Sequence, residues 1–586
     1  MNIIGISSHY HDSAACLVSD GILVAAAQEE RFSRKKHDRR VPLNALNYCI
    51  EEGGLSISDI DCVAYYENPA KKLERQVWTQ LPSIRERGIA ELGRFDPFRP
   101  LREIRELIGY TGRIACFDHH LSHAASSYYF SGFADAAVLT VDGVGEWATA
   151  AYGYGKGPKL SLFQEVCFPN SLGLLYSTVT AYLGFDVNDG EYKVMGLAPY
   201  GECRYLDQMR QLGQVTEGGD VQLDLQFFDF SGRGTMYTER FCSLFARAAR
   251  DPETELDGFH RDVARSLQQF LEECLLTMCR HLHQRASSTN LCLAGGVALN
   301  CVANARLLRE GPFDELFVQP AAGDAGGCLG AAALSHLALT GTAPAQKRLE
   351  HVFYGPGCEP DDIASLLADT AAEPQDYRGR EAQLLQATVD RLVKGQVVGW
   401  FQGRMEFGPR ALGGRSILAD PRPPTMRDLV NSRVKKRETF RPFAPAVLED
   451  FVGDHFDLGH ASPFMLETCR VTSALDLPAI THVDRSARVQ TVGLDGNRRF
   501  ALLLREFHKR TGCPILLNTS FNVRGQPIVC TPLDALVCFL QSKLDCLVLE
   551  DFLLDRTSVP ESWIRWYGHF EPDEDRMMPT TAYTFL

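Results

Sequence analysis

The sequence lacks every cysteine arrangement that indicates a disulfide framework or a zinc-binding ribbon. Its 18 cysteines are scattered singly, and no Cys-x-x-Cys pair occurs. Paired cysteines at short, regular spacings are the usual signature of both kinds of domain. We therefore expect reduced, mostly buried thiols and a cytoplasmic protein.

The sequence also lacks an apolar run near the length of about 18 residues that crosses a bilayer. Its first six residues lead directly into polar Ser7, Ser8 and His9, which does not resemble a secretory signal. Positive charge is in the minority, because 60 Lys and Arg face 74 Asp and Glu and give a formal charge of −14. A nucleic-acid binder needs a basic surface, so we expect neither a nucleic-acid nor a membrane partner.

What the sequence does contain is enough apolar material for large cores. Of its residues, 45% are apolar, which is ordinary for globular proteins. Its length of 586 residues is roughly four times that of a typical domain of about 150 residues. Residues 341–374 carry Gly, Pro, Lys and Gln without clear periodicity, and we place a boundary near residue 345. The expected domains are 1–345 and 346–586.

A repeated pattern predicts the fold class. A strand, an acidic Gly turn and a second strand occur at 3–27 and again at 136–152, which suggests a duplicated fold. An amphipathic helix is predicted over 259–282. Strand, Gly turn and helix then follow one another at 291–307 and 316–339, and a helix at 381–392 precedes a strand at 397–401. Both domains are therefore predicted to be α/β.

Two histidines have metal-ligand spacing. His119 and His123 lie four residues apart, which on a helix places both imidazoles on one face. Asp142 and Asp324 follow predicted strands and could add carboxylates, a donor set that zinc, ferrous iron or manganese would accept. The alternative is a pair of polar surface histidines, since this spacing arises readily by chance.

Three glycine turns indicate a nucleotide cleft. Gly295 and Gly296 follow a buried strand, and Asn300 and Asn304 lie on the next helix, where backbone N–H groups could approach a phosphate. Gly143 and the segment 323–327 form similar turns. The alternative is that these glycines only permit tight packing between strand and helix.

Cations cluster at 403–415 and 434–443 in an otherwise acidic chain. Arg binds phosphate oxygens bidentately and Lys supplies a compact charge, so the clusters predict a pocket for a small anionic substrate. The alternative is a solvated face of salt bridges. The segment 516–525 could complete the pocket, and its Ser520 lacks the surroundings of a hydrolase nucleophile.

Taken together, these motifs resemble the O-carbamoyltransferases of the nodulation, cephamycin and tobramycin type. The resemblance spans nearly the whole chain, and its motifs occur in order at 9–15, 28–32, 119–123, 141–143, 193–201, 295–300, 441–445 and 518–522. It implies an N-terminal domain of the actin-like ATPase superfamily, with a duplicated ribonuclease-H-like fold, joined to a YrdC-like C-terminal domain.

The resemblance also implies a two-step reaction. The YrdC-like domain would convert carbamoyl phosphate and ATP, the latter with Mg²⁺, to carbamoyl-adenylate. The actin-like domain, holding a divalent metal that is iron in similar proteins, would transfer the carbamoyl group to a hydroxyl of a small-molecule acceptor such as a sugar, an antibiotic or another natural product.

Site roles follow from matching motifs. The resemblance assigns the metal to His119, His123, Asp142 and Asp324. It assigns carbamoyl phosphate and adenylate formation to Arg410, Lys435, Arg441, Arg488 and Ser520. We further expect nucleotide or cofactor contacts from Gly143, Lys193, Gly295, Gly296, Asn300, Asn304, Asp324 and Asn518. His11 is the candidate base for the acceptor hydroxyl.

Two other functions stay open at this point. One is a tRNA-modifying transferase of the threonylcarbamoyl type, which the charge of −14 disfavours. The other is a non-catalytic actin-like nucleotide-binding protein, which would leave the histidine pair and the cation clusters without a purpose. The acceptor would be selected by loops such as 76–100 and 211–240. The oligomeric state is open, a homodimer being one option.

Overall fold

The computed structural model describes residues 1–567 except 88–95, 231–233, 253, 345–346, 369, 371 and 436. The predicted boundary at 345, Lys436 and parts of the loops 76–100 and 211–240 lie outside the described residues. The described chain divides into two compact units. The first contains Met1–Glu29 and His37–Leu349, and the second contains Glu30–Lys36 and the chain from Glu350 onward.

The first unit opens with a five-stranded mixed sheet. Its strands are β1 (Asn2–Ser7), β2 (Ala14–Ser19), β3 (Ile22–Gln28), β4 (Cys62–Tyr65) and β5 (Arg113–Cys116), in the order β3-β2-β1-β4-β5. β1 to β3 are antiparallel, whereas β1, β4 and β5 are parallel. Asp20 and Gly21 join β2 to β3 with φ values of 48° and 80°, the turn that Asp-Gly sequences favour in hairpins.

A second sheet repeats this arrangement. Its strands are β6 (Asp135–Val141), β7 (Ala148–Lys156), β8 (Lys159–Cys167), β11 (Asn290–Ala294) and β12 (Glu315–Val318), in the order β12-β11-β6-β7-β8. β6 to β8 are antiparallel, and β6, β11 and β12 are parallel. Order and direction match those of the first sheet, so the predicted duplication is confirmed. The short strands β9 (Gly213–Val215) and β10 (Val221–Leu223) pair separately.

Helices accompany these strands. They are α1 (Glu29–Ser33), α2 (Leu43–Glu52), α3 (Pro69–Arg87), α4 (Arg99–Ile108), α5 (His119–Tyr128), α6 (Leu172–Tyr182), α7 (Glu191–Leu197), α8 (Leu206–Leu212), α9 (Glu239–Leu244), α10 (Gly258–Arg285), α11 (Cys301–Glu310) and α12 (Asp324–Thr340). α10 confirms the predicted amphipathic helix. α12 begins at Asp324, which therefore lies in the first turn of the helix.

The second unit contains an eight-stranded mixed sheet. Its strands are β13 (Gln375–Asp376), β14 (Val398–Phe401), β15 (Arg415–Ala419), β16 (Ala444–Leu448), β19 (Gln490–Val492), β20 (Ile515–Ser520), β21 (Cys546–Leu549) and β22 (Phe552–Asp555), in the order β13-β22-β21-β14-β15-β20-β16-β19. β17 (Cys469–Arg470) and β18 (Ser486–Ala487) pair separately. Trp400, Phe401 and Phe521 are fully buried in its core.

The helices of this unit are α13 (Pro360–Ala368), α14 (Glu381–Val393), α15 (Met426–Leu429), α16 (Val452–His455), α17 (Arg498–Thr511), α18 (Pro532–Gln541) and α19 (Glu561–Tyr567). One π-helical turn spans Val430–Lys435. The α/β class is therefore confirmed for both parts of the chain, with a duplicated pair of mixed sheets in the first unit and a separate mixed sheet in the second. The actin-like and YrdC-like assignments are what the resemblance implies.

All 18 cysteines carry free thiols, and most are buried, as expected for reduced cysteines in a core. None of the helices in the described part of the chain combines the length and the apolar character needed to span a bilayer.

Candidate functional site

Four side chains converge in the first unit. His119 and His123 lie one turn apart on α5, Asp142 directly follows β6, and Asp324 opens α12. The two histidine Nε2 atoms are 3.0 Å apart, and Asp142 Oδ2 lies 3.1 Å from the first and 3.3 Å from the second. Asp324 Oδ1 lies 3.6 Å from both Nε2 atoms. All four side chains are buried, so the structure brings together the set predicted to bind metal.

The chemistry of this cluster fits a divalent metal. One ligand atom from each side chain lies within 4.8 Å of the others. Neither carboxylate oxygen of Asp324 has a hydrogen-bond partner among the described residues, although buried polar atoms are nearly always bonded. Two imidazole nitrogens and two carboxylate oxygens suit zinc, iron or manganese, and this donor set alone does not select one of them.

The cluster is strongly coupled electrostatically. Burial acts to raise the pKa of Asp142, but hydrogen bonding with His119 and His123 outweighs it and holds that pKa well below its usual value. Burial acts to lower the pKa of His123, but Asp142 and Asp324 raise it to about 9. Asp142 therefore stays charged in the interior, where a bound cation would compensate it.

His120 lies between the two cluster histidines in sequence but points elsewhere. Its Nδ1 is 2.7 Å from Thr140 Oγ1 and its Nε2 is 2.9 Å from the Ala148 carbonyl. Burial lowers its pKa well below the usual value. A neutral ring with both nitrogens occupied has a structural role.

Two predicted glycines hold Asp142 in place. The Gly296 N–H donates to Asp142 Oδ1 at 3.0 Å, which leaves Oδ2 facing the histidines. Gly295 has φ +91°, and a Cβ there would lie 2.3 Å from the Val141 carbonyl oxygen. The carbonyl of Gly143 accepts a hydrogen bond from Ser171. Close packing accounts for Gly295 and Gly296 in this structure, and their predicted phosphate contacts stay a prediction.

Glu146 is a cluster neighbour that the sequence did not single out. Its carboxylate accepts the N–H of His119 at 3.0 Å and that of Asn68 at 2.6 Å. Asp118, the residue before α5, makes no side-chain cap of its own. Glu146 therefore satisfies the first N–H of the helix that carries both histidines.

His11 lies beside the cluster. Its Nε2 is 3.9 Å from Asp324 Oδ2, and its Nδ1 is 3.1 Å from Asp12. Burial opposes protonation of His11, but Asp324 and the hydrogen bond with Asp12 outweigh it and raise its pKa to about 9. Asp12 also lies 2.7 Å from His37 Nδ1. Asp12 and His37 were not among the predicted site residues.

Other predicted nucleotide contacts have local structural roles. Asn300 caps α11 by accepting the Ala303 N–H at 3.1 Å, and its Nδ2 donates to Gln268 at 3.0 Å. Asn304 Nδ2 donates to the Ala298 carbonyl at 2.7 Å. Lys193 is buried, with Nζ 5.8 Å from the centre of a phenylalanine ring. The nucleotide contacts assigned to these side chains stay a prediction.

In the second unit, Lys435 closes the π-helical turn. Its three N–H donors are shared among four oxygens: the carbonyl and hydroxyl oxygens of Ser520 at 2.8 and 3.1 Å from Nζ, and the carbonyl and side-chain oxygens of Asn522 at 3.0 and 2.6 Å. All four acceptors are neutral. Burial, together with the nearby charge of Arg437, lowers the pKa of Lys435 well below its usual value. A buried ammonium in this setting is stabilised by a bound anion.

The predicted arginines occupy the loops of the same unit. Arg441 lies 3.6 Å from Glu438, and Arg410 is half-buried between β14 and β15. Arg488 is half-buried between β18 and β19, and its side chain makes neither a hydrogen bond nor an ion pair with the described residues. A guanidinium in that state is available to an anion. Lys435 and Ser520 are thus in direct contact, whereas no such contact joins Arg488 to them.

Asn518 and two buried charged residues, Arg415 and Glu406, make further contacts in the second unit. Asn518 Nδ2 donates to the Ala411 carbonyl at 3.1 Å, while its Oδ1 has no partner among the described residues. Arg415 is fully buried, and its guanidinium carbon lies 3.6 Å from the centre of the Phe401 ring. Glu406 Oε1 accepts three backbone N–H groups, those of Leu412, Gly414 and Arg415. These contacts organise the loop that carries Arg410.

Comparisons with known proteins give one consistent family. Residues 2–333 match the family described as Carbamoyltransferase N-terminus, and residues 389–556 match Carbamoyltransferase C-terminus. The chain is similar to the uncharacterized protein sll1178 of Synechocystis sp., with 44% identity over 98% of this chain and 100% of that one. It is also similar to nodulation protein NolNO of Sinorhizobium fredii, with 40% identity over 95% of this chain and 80% of that one.

Nodulation protein NolO of Bradyrhizobium diazoefficiens is 42% identical over 75% of this chain and 78% of its own. Among solved structures, HypF from T. kodakarensis is similar over 59% of this chain and 49% of its own, at 12% identity and a TM-score of 0.31. That structural likeness is too small to support an argument. The two family matches and the sequence relatives show that the chain belongs to the carbamoyltransferase family of enzymes.

Proposed function

We propose that this carbamoyltransferase uses carbamoyl phosphate and ATP to form carbamoyl-adenylate, and then transfers the carbamoyl group to a hydroxyl of a small molecule. The second unit would form the adenylate, and the first unit would carry out the transfer. The observation that carries this proposal is Lys435, a buried ammonium surrounded by neutral oxygens. It suits a small, highly charged anion.

The proposed chemistry balances with one water. Water cleaves the mixed anhydride of carbamoyl phosphate to carbamate and phosphate. A carbamate oxygen then attacks the α-phosphorus of ATP, and pyrophosphate leaves. In the second step an acceptor oxygen attacks the carbamoyl carbon, the bond to AMP breaks, and the hydroxyl proton passes to a base.

In the second unit, protein cations would neutralise the phosphate oxygens. An anion beside Lys435 favours the protonated amine and offsets the cost of burying it. Arg488, whose side chain has no polar partner among the described residues, would complete the anion site together with Arg441 and Arg410. Ser520 and Asn522 orient the Lys435 amine through direct hydrogen bonds.

In the first unit, His119, His123, Asp142 and Asp324 would hold the divalent metal, for which the family resemblance suggests iron. When bound, the metal would supply Lewis acidity at a carbamoyl or phosphate oxygen. Glu146 and Gly296 orient two of these four side chains. His11 lies 3.9 Å from Asp324 and is the proposed acceptor of the hydroxyl proton. Asp324 contributes to raising the pKa of His11 to about 9, and a bound metal would compensate that carboxylate and favour the neutral imidazole that a base requires.

We also propose a small-molecule acceptor, with neither nucleic acid nor membrane as a partner. The formal charge of −14 supports a small molecule over tRNA, because a phosphate backbone is bound through a basic surface. We further propose that the protein is located in the cytoplasm and that it forms a homodimer.

The experiment that tests this function measures pyrophosphate released from ATP by the full chain. Release that depends on carbamoyl phosphate supports the proposal. Dependence on threonine with bicarbonate would instead indicate a threonylcarbamoyl-type transferase. The absence of release with both would leave a nucleotide-binding protein without this chemistry. Labelled carbamoyl phosphate, offered with ATP and a panel of sugars, aminoglycosides and polyketides, would then identify the acceptor.

A further inference from the structure

A short segment near the start of the chain belongs to the second unit. Residues Glu30–Lys36 group with the chain from Glu350 onward, although the residues on both sides of them group with the first unit. The segment contains two arginines, Arg31 and Arg34. Their contacts within the second unit give them a role that no motif assigned.

Arg34 binds the loop that follows β20. Its two terminal nitrogens donate to the carbonyls of Ile528 at 2.6 Å and Pro527 at 2.8 Å, and its Nε lies 3.5 Å from Asp534. These contacts use the planar fork of arginine, which reaches two acceptors at once. Arg34 has φ +58°, a conformation that non-glycine residues rarely adopt.

The same loop holds Lys435. Asn522, which accepts a hydrogen bond from the Lys435 amine, donates through Nδ2 to the Gln526 carbonyl at 2.6 Å. Gln526 directly precedes the two carbonyls that Arg34 binds. Arg34 and Asn522 therefore anchor adjacent peptide units of one loop, and a shift at 527 would move the oxygens around Lys435.

Arg31 makes the corresponding contact on the other loop of the site. It is buried, and it donates to the Gly408 carbonyl at 2.9 Å, two residues before Arg410. Glu30 lies 3.0 Å from it and balances its charge. One segment thus binds both the loop whose oxygens surround Lys435 and the loop that carries Arg410.

We infer that Arg31 and Arg34 are positioning residues for the carbamoyl-phosphate site of the second unit, an inference that rests on the function proposed above. They act through backbone carbonyls: Arg34 sets the loop that holds Lys435, and Arg31 sets the loop that carries Arg410. The adenylate-forming site therefore requires residues from the first 36 positions of the chain.

The test uses the full chain with the variants Arg34→Lys and Arg34→Ala, and Arg505→Ala as the matched control. Arg505 is a surface arginine of the same unit, 3.5 Å from Asp450. We expect both Arg34 variants to raise the KM for carbamoyl phosphate in pyrophosphate formation. Misplacement of a binding group by about 1 Å can cost about 100-fold, so that is the expected scale for Arg34→Ala. Arg34→Lys makes one of the two carbonyl bonds and should lie between Arg34→Ala and the unaltered protein.

A second readout separates positioning from general stability. Guanidinium ions at millimolar concentration should restore part of the activity of Arg34→Ala, because they can occupy the vacated position, and should leave Arg505→Ala unchanged. If both Arg34 variants keep the normal KM while their melting temperatures fall, the segment only stabilises the fold and the inference is overturned. If the unaltered protein forms no pyrophosphate with carbamoyl phosphate, the proposed function and this inference both fail.

Discussion

In the first unit, two carboxylates and two imidazoles converge with their acceptor atoms facing one another, whereas in the second a buried ammonium is surrounded by neutral oxygens. In the first arrangement, the Asp324 carboxylate has no hydrogen-bond partner among the described residues. In the second, all four oxygens bonded to the Lys435 amine are neutral, so none of them balances its positive charge. Each arrangement buries a charge at a cost in folding free energy until a ligand of the opposite charge binds. The difference supports the proposal that one unit holds a cation and the other an anion.

The largest effect is expected when one carboxylate of the first unit's cluster is removed. Asp324→Ala should eliminate stoichiometric metal and lower carbamoyl transfer by about 1000-fold, since several kcal/mol of stabilisation are lost. Pyrophosphate formation should survive, because the site proposed for that step lies in the other unit. Metal analysis of the purified protein and the two activity assays provide the check.

The matched control for this change is Asp118→Asn. Asp118 directly precedes α5, but its side chain is only half-buried and pairs with Lys71. It should keep both metal and transfer. Full metal content in Asp324→Ala would remove Asp324 from the ligand set.

The next largest effect is expected at the anion site. Lys435→Ala should lower pyrophosphate formation by about 100-fold or more, on the scale of losing a buried charge partner, and Arg441→Ala should have a smaller effect in the same direction. Metal content should not change. Synthetic carbamoyl-adenylate should restore transfer in both variants.

Lys509→Ala is the control, because Lys509 is an exposed lysine of the same unit. A folded Lys435→Ala protein that synthetic carbamoyl-adenylate cannot restore would place Lys435 in the transfer step. The separation of the two half-reactions between the units would then be wrong.

A smaller effect is expected on the pH dependence of the melting temperature. The folded-state pKa of His123 is raised from its usual 6.5 to about 9. Its stabilising contribution is therefore fully present below pH 6.5 and is lost as the pH rises through 9. The melting temperature of chelator-treated protein should fall by a few degrees between pH 6.5 and 9.5 relative to metal-loaded protein. Parallel curves for the two forms would show that His123 is not protonated in the metal-free cluster.

The smallest effect concerns a predicted nucleotide contact that the structure shows as a helix cap. Asn300→Ala should lower the free energy of unfolding by about 1 kcal/mol, and Asn300→Ser should retain most of it, because serine also caps helices well. Denaturant unfolding measures this. A loss of ATP affinity in Asn300→Ser, with stability kept, would show that the amide also contacts the nucleotide.

The sequence predicted those features that depend on short-range patterns. The two strand repeats follow from alternating apolar residues and Asp-Gly turns, and the shared face of His119 and His123 follows from helical periodicity. The features that it did not predict depend on partners that are distant in the chain. Arg34 binds a carbonyl 494 residues away, and Glu146 caps a helix that begins 27 residues before it. No local pattern identifies such partners, because only the folded chain brings them together.

The spacing of the four candidate metal ligands depends on a residue that cannot itself bind a metal. Three of its four side chains extend from α5 and α12, and the two helices approach so closely that a Cβ at Gly330 would lie 1.8 Å from the Ser122 carbonyl oxygen. Ser122 lies between the two histidines on α5. A larger residue at 330 would push the helices apart and widen the cluster without changing any donor atom. The residue at position 330 therefore sets the distance between α5 and α12. Related chains could favour a smaller or a larger ion by changing that residue alone.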